Sequence, residues 1–291
     1  YGFDFNATCC SHGKSEDGYT LSHQDPGIRE FWIEHCKRCR EIAARVGREL
    51  DDPVVTNIWI PDGGKDLPAD RKSPRERLQG ALDDVFTQEV GPSNIDAIEC
   101  KLFGIGSESY VVGSHEFYLA YAVSRRKWLC LDMGHFHPTE SVADKISSVQ
   151  QFVPGLLLHV SRGVRWDSDH IVLCDDPTIA VMEELVRGDF LDRTFIGLDF
   201  FDASINRIAA WVIGTRATQR SLLRALLQPV ERLKECERNG DLTSRLALME
   251  EVKNLPWGLV WREHCRRHDV PEDHEWIDEV KRYESEALAK R

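Results

Sequence analysis

The sequence has little of what membrane-bound and exported proteins need. None of its apolar runs approaches the ~20 residues that a membrane-spanning helix requires, and its start shows no charged-then-apolar leader. Its nine cysteines are an odd number and are scattered, without the regular spacing of a disulfide framework. We therefore predict a cytoplasmic protein with reduced thiols and no membrane partner.

Positive charge is also scarce, since the formal net charge is -12. Proteins that bind nucleic acids or anionic membrane surfaces do so through clustered lysine and arginine. The charge balance therefore argues against both kinds of partner.

Methionine is rare, and the first one is Met133, whereas the chain begins with Tyr1. Because translation starts at methionine, we expect this chain to begin in mid-protein. Residues 2–6 already alternate like a strand. Losing preceding strands would open the sheet, so we expect these 291 residues alone to be inactive unless the missing segment is supplied.

Short apolar runs alternate with helical patterns from residue 2 to residue 199. This alternation predicts a parallel sheet with right-handed crossovers, as in a TIM (β/α)8 barrel. About six strands are recognisable, so roughly the first two of the eight are expected to be missing. Helical patterns alone follow residue 203, which divides the chain into a partial barrel (1–214) and a helical C-terminal extension (215–291). The extension would pack on its own barrel or form oligomer contacts.

Acids and histidines follow the apolar runs at four successive strand ends, where a barrel of this kind carries its active site. These residues are Glu99, Asp132, His135, His159, Asp167, Asp169 and Asp199. Five carboxylates near one point repel each other strongly unless cations are present. Two divalent ions, together with Lys101 on the same strand face as Glu99, would bring the site close to neutrality. Oxygen-rich ligation with two imidazoles suits Mn²⁺, with Co²⁺ or Mg²⁺ as alternatives.

Several of these residues (Lys101, Asp132, His135, Asp167, Asp169 and Asp199) lie in segments that resemble bacterial L-rhamnose isomerases. The similar segments are 57–63 (NIWIPDG), 101–106 (KLFGIG), 132–140 (DMGHFHPTE), 166–170 (WDSDH) and 197–207 (GLDFFDASINR). The resemblance implies a (β/α)8 barrel of the xylose-isomerase-like type with a helical C-terminus, assembled as a homotetramer. It implies a metal-dependent aldose–ketose isomerase that interconverts L-rhamnose and L-rhamnulose by a 1,2-hydride shift.

The resemblance also implies a role for each site residue. It implies a first metal site formed by Glu99, Asp132, His159 and Asp199, and a second formed by His135, Asp167 and Asp169. Catalysis would involve Lys101, Asp199 and His135, and the sugar would contact Trp59, Lys101 and Asp167.

Two other interpretations compete with this one. A metal-dependent phosphoesterase or nuclease on a similar barrel would also gather acids and histidines at strand ends, but it needs a basic surface that this chain lacks. A non-catalytic or inactive barrel fragment is the second alternative.

Overall fold

The computed structural model describes residues 2–100, 109–164, 166–202 and 204–290, and the backbone alone of residues 166 and 167. Lys101 and the side chain of Asp167 lie outside the described part of the chain. The strands are β1 (Asp4–Ala7), β2 (Val54–Trp59), β3 (Gly63–Gly64), β4 (Asn94–Glu99), β5 (Tyr110–Val111), β6 (Trp128–Asp132), β7 (Leu156–Val160), β8 (Arg162–Val164), β9 (Trp166–His170) and β10 (Thr194–Leu198).

Helices connect the strands and make up the C-terminal part. They are α1 (Pro26–Leu50), α2 (Lys72–Phe86), α3 (His115–Arg125), α4 (Ala143–Val149), α5 (Asp176–Arg187), α6 (Arg207–Leu226), α7 (Val230–Arg238), α8 (Leu242–Val252), α9 (Trp257–Arg267) and α10 (Trp276–Glu286). Helices α1 and α5 begin with an aspartate cap followed by proline in the first turn, an arrangement that satisfies free backbone N–H groups.

Six strands form one parallel sheet in the order β1-β2-β4-β6-β7-β10, which confirms the predicted α/β class and the number of strands. Two antiparallel pairs, β3 with β5 and β8 with β9, lie outside this sheet. Within the described residues, β1 and β10 are the outer strands of the sheet.

The two faces of the sheet carry different residues because successive side chains of a strand point to opposite sides. One face carries the large core packed under the helices, which includes Leu129, Leu131 and Leu158. The other, inner face carries a small cluster formed by Val55, Ala97, Cys130 and Leu157. The next inner positions along β4, β6 and β7 are polar and define the candidate site.

A buried ion pair attaches α1 to the outer face of β4. The Arg40 guanidinium donates to both carboxylate oxygens of Asp96, at 2.8 and 3.0 Å, and also to two backbone carbonyls. Lys127 Nζ lies 2.7 Å from Asp96 Oδ2. Burial raises the pKa of Asp96, but the hydrogen bond and charge of Arg40, with Lys127, outweigh it and hold the pKa below its ordinary value.

Two local predictions from the sequence are wrong. The apolar pattern predicts separate helices over 205–214 and 220–240, but α6 runs unbroken through Gly214 and the chain breaks at Pro229 before α7. Gly214 is tolerated inside α6 because Phe200 packs against it, and a Cβ there would lie 2.4 Å from the ring. Strands β8 and β9 pair antiparallel, whereas the strand-end pattern predicts a loop at 166–169.

Among the described residues, no helix combines the length and the apolar character that crossing a bilayer requires.

Candidate metal centre

Four inner-face side chains converge at the carboxyl ends of neighbouring parallel strands. Glu99 ends β4, Asp132 ends β6, His159 lies on β7, and Asp199 directly follows β10. One ligand atom from each lies within 4.8 Å of the others. The sequence pattern predicted this convergence, because parallel strands end at the same edge of a sheet.

The His159 imidazole lies at the centre of the group. Its Nδ1 atom is 3.2 Å from Asp199 Oδ2, 3.4 Å from Glu99 Oε1 and 3.8 Å from Asp132 Oδ2. His135 Nδ1 lies 3.3 Å from the same Glu99 oxygen. One imidazole is thus surrounded by three carboxylates, with a second imidazole next to one of them.

The atoms that face the centre of the group lack hydrogen bonds. Among the described residues, Glu99 Oε1, Asp132 Oδ2 and His159 Nδ1 are fully buried and have no hydrogen-bond partner. Leaving such groups unsatisfied costs about 1–3 kcal/mol each. A divalent cation accepts lone pairs from nitrogen and oxygen together, so these residues fit a metal ion.

The pKa values of the group show the same need for positive charge. Burial, with the charges of Glu99 and Asp199, raises the pKa of Asp132 to about 7 against the lowering effects of His135 and His159. Burial lowers the pKa of His159, but Cys130, Glu99, Asp199 and Asp4 together outweigh burial and raise the pKa well above its ordinary value. Both shifts arise from carboxylates crowded into a buried site, and a bound cation would offset that negative charge.

Hydrogen bonds to the carboxylate oxygens that face away from the centre fix the orientation of Glu99 and Asp132. Asn57 Nδ2 donates to Glu99 Oε2 at 2.5 Å. The Gly134 backbone N–H and the Ser161 hydroxyl both donate to Asp132 Oδ1, at 2.6 and 3.0 Å. In each carboxylate, one oxygen is therefore held by the protein while the other faces the centre.

Asp4 orients His159 in the same way, a role that the sequence pattern does not predict. Its Oδ2 atom lies 3.0 Å from His159 Nε2, which leaves Nδ1 directed at the cluster. Carboxylate–histidine–metal arrangements orient the ring and raise its basicity. The available signal was a charged residue in a short strand of otherwise apolar alternation. For Asn57, the available signal was a polar residue inside the otherwise buried strand β2.

We predict that Asp4→Ala weakens metal binding by roughly 10–100-fold, the usual effect of losing an outer partner of a ligand. The measurement is a calorimetric titration of the metal-free protein with Mn²⁺. Asp17→Ala is the matched control, because Asp17 also pairs with a histidine, His23, at 2.8 Å on the exposed surface. Equal affinities in the two variants would contradict a positioning role for Asp4.

The remaining predicted site residues are described only in part. Trp59 is half-buried and pairs in register with Glu99, so it borders the metal cluster. Asp169 lies on β9 with a positive φ of 45°, and the described side chains do not bring it into the four-residue cluster. Lys101 and the Asp167 side chain lie outside the described residues.

The chain is similar to a known enzyme family along its whole length. The sequence profile of the L-rhamnose isomerase family matches residues 1–291. L-Rhamnose isomerase from Yersinia pseudotuberculosis serotype O:1b (strain IP 31758) is 60% identical over 291 residues, which are 100% of this chain and 70% of the relative. The L-rhamnose isomerase of Yersinia pestis (strain Pestoides F) matches with the same identity and the same shares.

A solved structure shares the fold at low sequence identity. L-Ribulose 3-epimerase aligns with a TM-score of 0.52 and 13% identity, over 78% of this chain and 75% of that chain. The sequence match favours an isomerase over the phosphoesterase or nuclease that remained open from the residue pattern. The chain belongs to the L-rhamnose isomerase family.

Proposed function

We propose that the protein interconverts L-rhamnose and L-rhamnulose at a divalent metal centre formed by the inner-face cluster. The observation that carries this proposal is the convergence of Glu99, Asp132, His159 and Asp199, with three buried ligand atoms lacking hydrogen bonds. The match to relatives named L-rhamnose isomerase supplies the substrate. The partner is thus a small sugar.

We assign the four clustered residues to a first metal ion and His135, Asp167 and Asp169 to a second. The position of His135, 3.3 Å from Glu99, supports adjacent metal sites. The excess of oxygen ligands favours Mn²⁺, with Co²⁺ or Mg²⁺ as alternatives. When bound, the ions lower the pKa of a sugar hydroxyl and polarise the carbonyl.

The reaction moves one hydrogen between C2 and C1 of the sugar and one proton between O2 and O1, so no organic cofactor is needed. We assign Lys101 to the O1 side, where its positive charge stabilises the negative charge that develops there. Trp59 forms an apolar wall of the pocket and limits access of water, and Asp167 binds a sugar hydroxyl. His135 and Asp199 keep the reacting carbons in position through the metal sites.

We further propose that the six-stranded sheet belongs to a (β/α)8 barrel and that residues 1–214 carry the site. The outer positions of β1 and β10 in the described part of the sheet, where further strands could pair, support this proposal. Residues 215–291 would form the helical extension, and exposed apolar side chains on α8 and α9, including Leu246 and Leu259, support a role in a homotetramer. All nine cysteines are free thiols, in keeping with a cytoplasmic protein.

The test is metal removal and return in the full-length protein. Dialysis against a chelator should abolish L-rhamnulose formation, and Mn²⁺ or Co²⁺ should restore it in proportion to the metal bound. Sugar production that continues at full rate in rigorously metal-free protein would contradict the proposed chemistry.

We predict that Lys101→Met lowers kcat by about 10²-fold or more, the scale for losing one electrostatic stabiliser, while the metal content stays the same. Lys253→Met is the control, since Lys253 pairs with Glu250 on the exposed end of α8. Kinetics and metal analysis are measured on the same samples. Loss of a metal ion in Lys101→Met would instead make Lys101 a structural support of the site.

A further inference from the structure

The inner face carries a thiol that the proposed isomerisation does not use. Cys130 lies on β6, two residues before Asp132, and therefore points to the same side of the sheet. It pairs in register with Glu99 of the neighbouring strand β4. Its side chain is buried and belongs to the apolar cluster beneath the metal centre.

Cys130 completes a second set of ligand atoms with two residues of the first. Its Sγ atom, a carboxylate oxygen of Glu99 and a nitrogen of His159 lie within 4.8 Å of one another. Glu99 Oε1 and His159 Nδ1 are fully buried and have no hydrogen-bond partner among the described residues. The Glu99 and His159 side chains therefore lie close to a thiol as well as to the other carboxylates of the cluster.

We infer that Glu99, Cys130 and His159 form an alternative site for thiophilic divalent ions such as Cd²⁺ and Zn²⁺. Thiolate is a soft ligand that selects these ions, whereas Asp132 and Asp199 offer only hard oxygens. Three protein ligands with an open fourth position is a common zinc arrangement. On binding, the Cys130 S–H bond breaks, the electron pair left on sulfur forms the S–metal bond, and the proton leaves with the water that the hydrated ion sheds on entering this buried position.

The two sites exclude each other because they share ligands. His159 Nε2 is engaged with Asp4, so the ring offers one lone pair, at Nδ1, and that lone pair binds one metal ion at a time. A thiophilic ion at Cys130 thus removes His159 and Glu99 from the oxygen-rich site. The protein would lose the ion assigned to isomerisation by competition, without any change in the sugar pocket itself.

The experiment is a Cd²⁺ titration of the full-length protein loaded with Mn²⁺. Released Mn²⁺ is followed by electron paramagnetic resonance, and the cadmium–thiolate charge-transfer band is followed in the ultraviolet. We expect Cd²⁺ to release Mn²⁺ while the band grows. In Cys130→Ser, the contribution of Cys130 to the cadmium–thiolate band should be lost, and Mn²⁺ release should require at least ~10-fold more Cd²⁺ because the soft ligand is gone.

Other thiols set the background of this measurement. Cys9 and Cys36, whose sulfur atoms are 3.8 Å apart, can also bind Cd²⁺, but their band should persist in Cys130→Ser and should not respond to Mn²⁺. Cys265→Ser, at a buried position on α9, is the matched control and should behave like the parent. Unchanged Cd²⁺ competition in a folded Cys130→Ser protein would overturn the inference.

A further variant separates this inference from the proposed function. Asp199→Asn should weaken Mn²⁺ binding but retain the Cys130-dependent cadmium band, because Asp199 belongs only to the oxygen-rich set. Loss of the band together with Mn²⁺ binding would also overturn the inference. If the parent protein fails to bind Mn²⁺, the proposed metal centre is wrong, and the cadmium band of the metal-free protein still decides the role of Cys130.

Discussion

Glu99→Gln is expected to reduce both metal occupancy and isomerase turnover, with kcat/KM falling by about 10³-fold or more, or about 4 kcal/mol. Asn57 Nδ2 donates to Glu99 Oε2, so the amide oxygen of the glutamine takes that position. The amide NH₂ group then points at the centre, where Glu99 Oε1 now lies near His135 and His159. A ligand is thereby replaced by two donors directed at the cation.

The measurement combines metal analysis with the rate of L-rhamnulose formation in the same preparation. Glu34→Gln is the control, because Glu34 lies on the exposed side of α1 and pairs only with Lys37 among the described residues. This variant should match the parent in both assays. Full metal content and full turnover in Glu99→Gln would remove Glu99 from the ligand set.

Asp96→Ala is expected to lower the free energy of unfolding by about 3–5 kcal/mol, the usual cost of removing one partner from a buried ion pair. The Arg40 side chain is only 3% exposed, so its guanidinium would stay buried without a carboxylate. Lys127 would lose the same partner. Urea unfolding measures the change, and Tm should fall by roughly 2–4 °C for each kcal/mol.

The loss of unfolding free energy in Asp96→Ala should also depend on pH. Since the pKa of Asp96 in the folded protein lies below its ordinary value, the stabilisation is present above the unfolded-state pKa and is lost as the pH falls through the folded-state pKa. The difference between parent and Asp96→Ala should therefore shrink in strong acid. A difference that is constant across that range would show that Asp96 acts through packing and not through its charge.

Glu263→Ala provides the control for Asp96. Glu263 also accepts from two arginines, Arg266 and Arg267, both at 2.7 Å, and their hydrogen bonds lower its pKa to about 2. These groups are exposed on α9, where ion pairs are screened by water and contribute little. No measurable loss of stability is expected, so a loss as large as that of Asp96→Ala would contradict burial as the cause.

The sequence predicts the metal cluster well because each ligand is recognisable from a short stretch of sequence around it. Glu99, Asp132 and His159 each follow an apolar run, and parallel strands bring their carboxyl ends to one edge. The same periodicity predicts the six strands of the sheet. These features can be predicted because side chains alternate along a strand with a period of two, and because site residues follow the carboxyl ends of parallel strands.

The supporting contacts could not be predicted in the same way. Asp4 and His159 are 155 positions apart in sequence and lie on strands that are not neighbours in the sheet. No local pattern relates two such residues, since their contact depends on the curvature of the whole sheet. The continuity of α6 through Gly214 likewise depends on Phe200, a tertiary neighbour that a helical pattern does not include.

The contact between Asp4 and His159 has a consequence for folding. It joins the first strand of the sheet to its fifth, so a fully supported metal centre exists only when β1 and β7 have both assembled. A cation that prefers this assembled state stabilises it by mass action, by about 2.7 kcal/mol at a free concentration 100 times its Kd. The ion would then act as a cooperativity element that links β1 and β7, with the strands between them, into one unfolding unit.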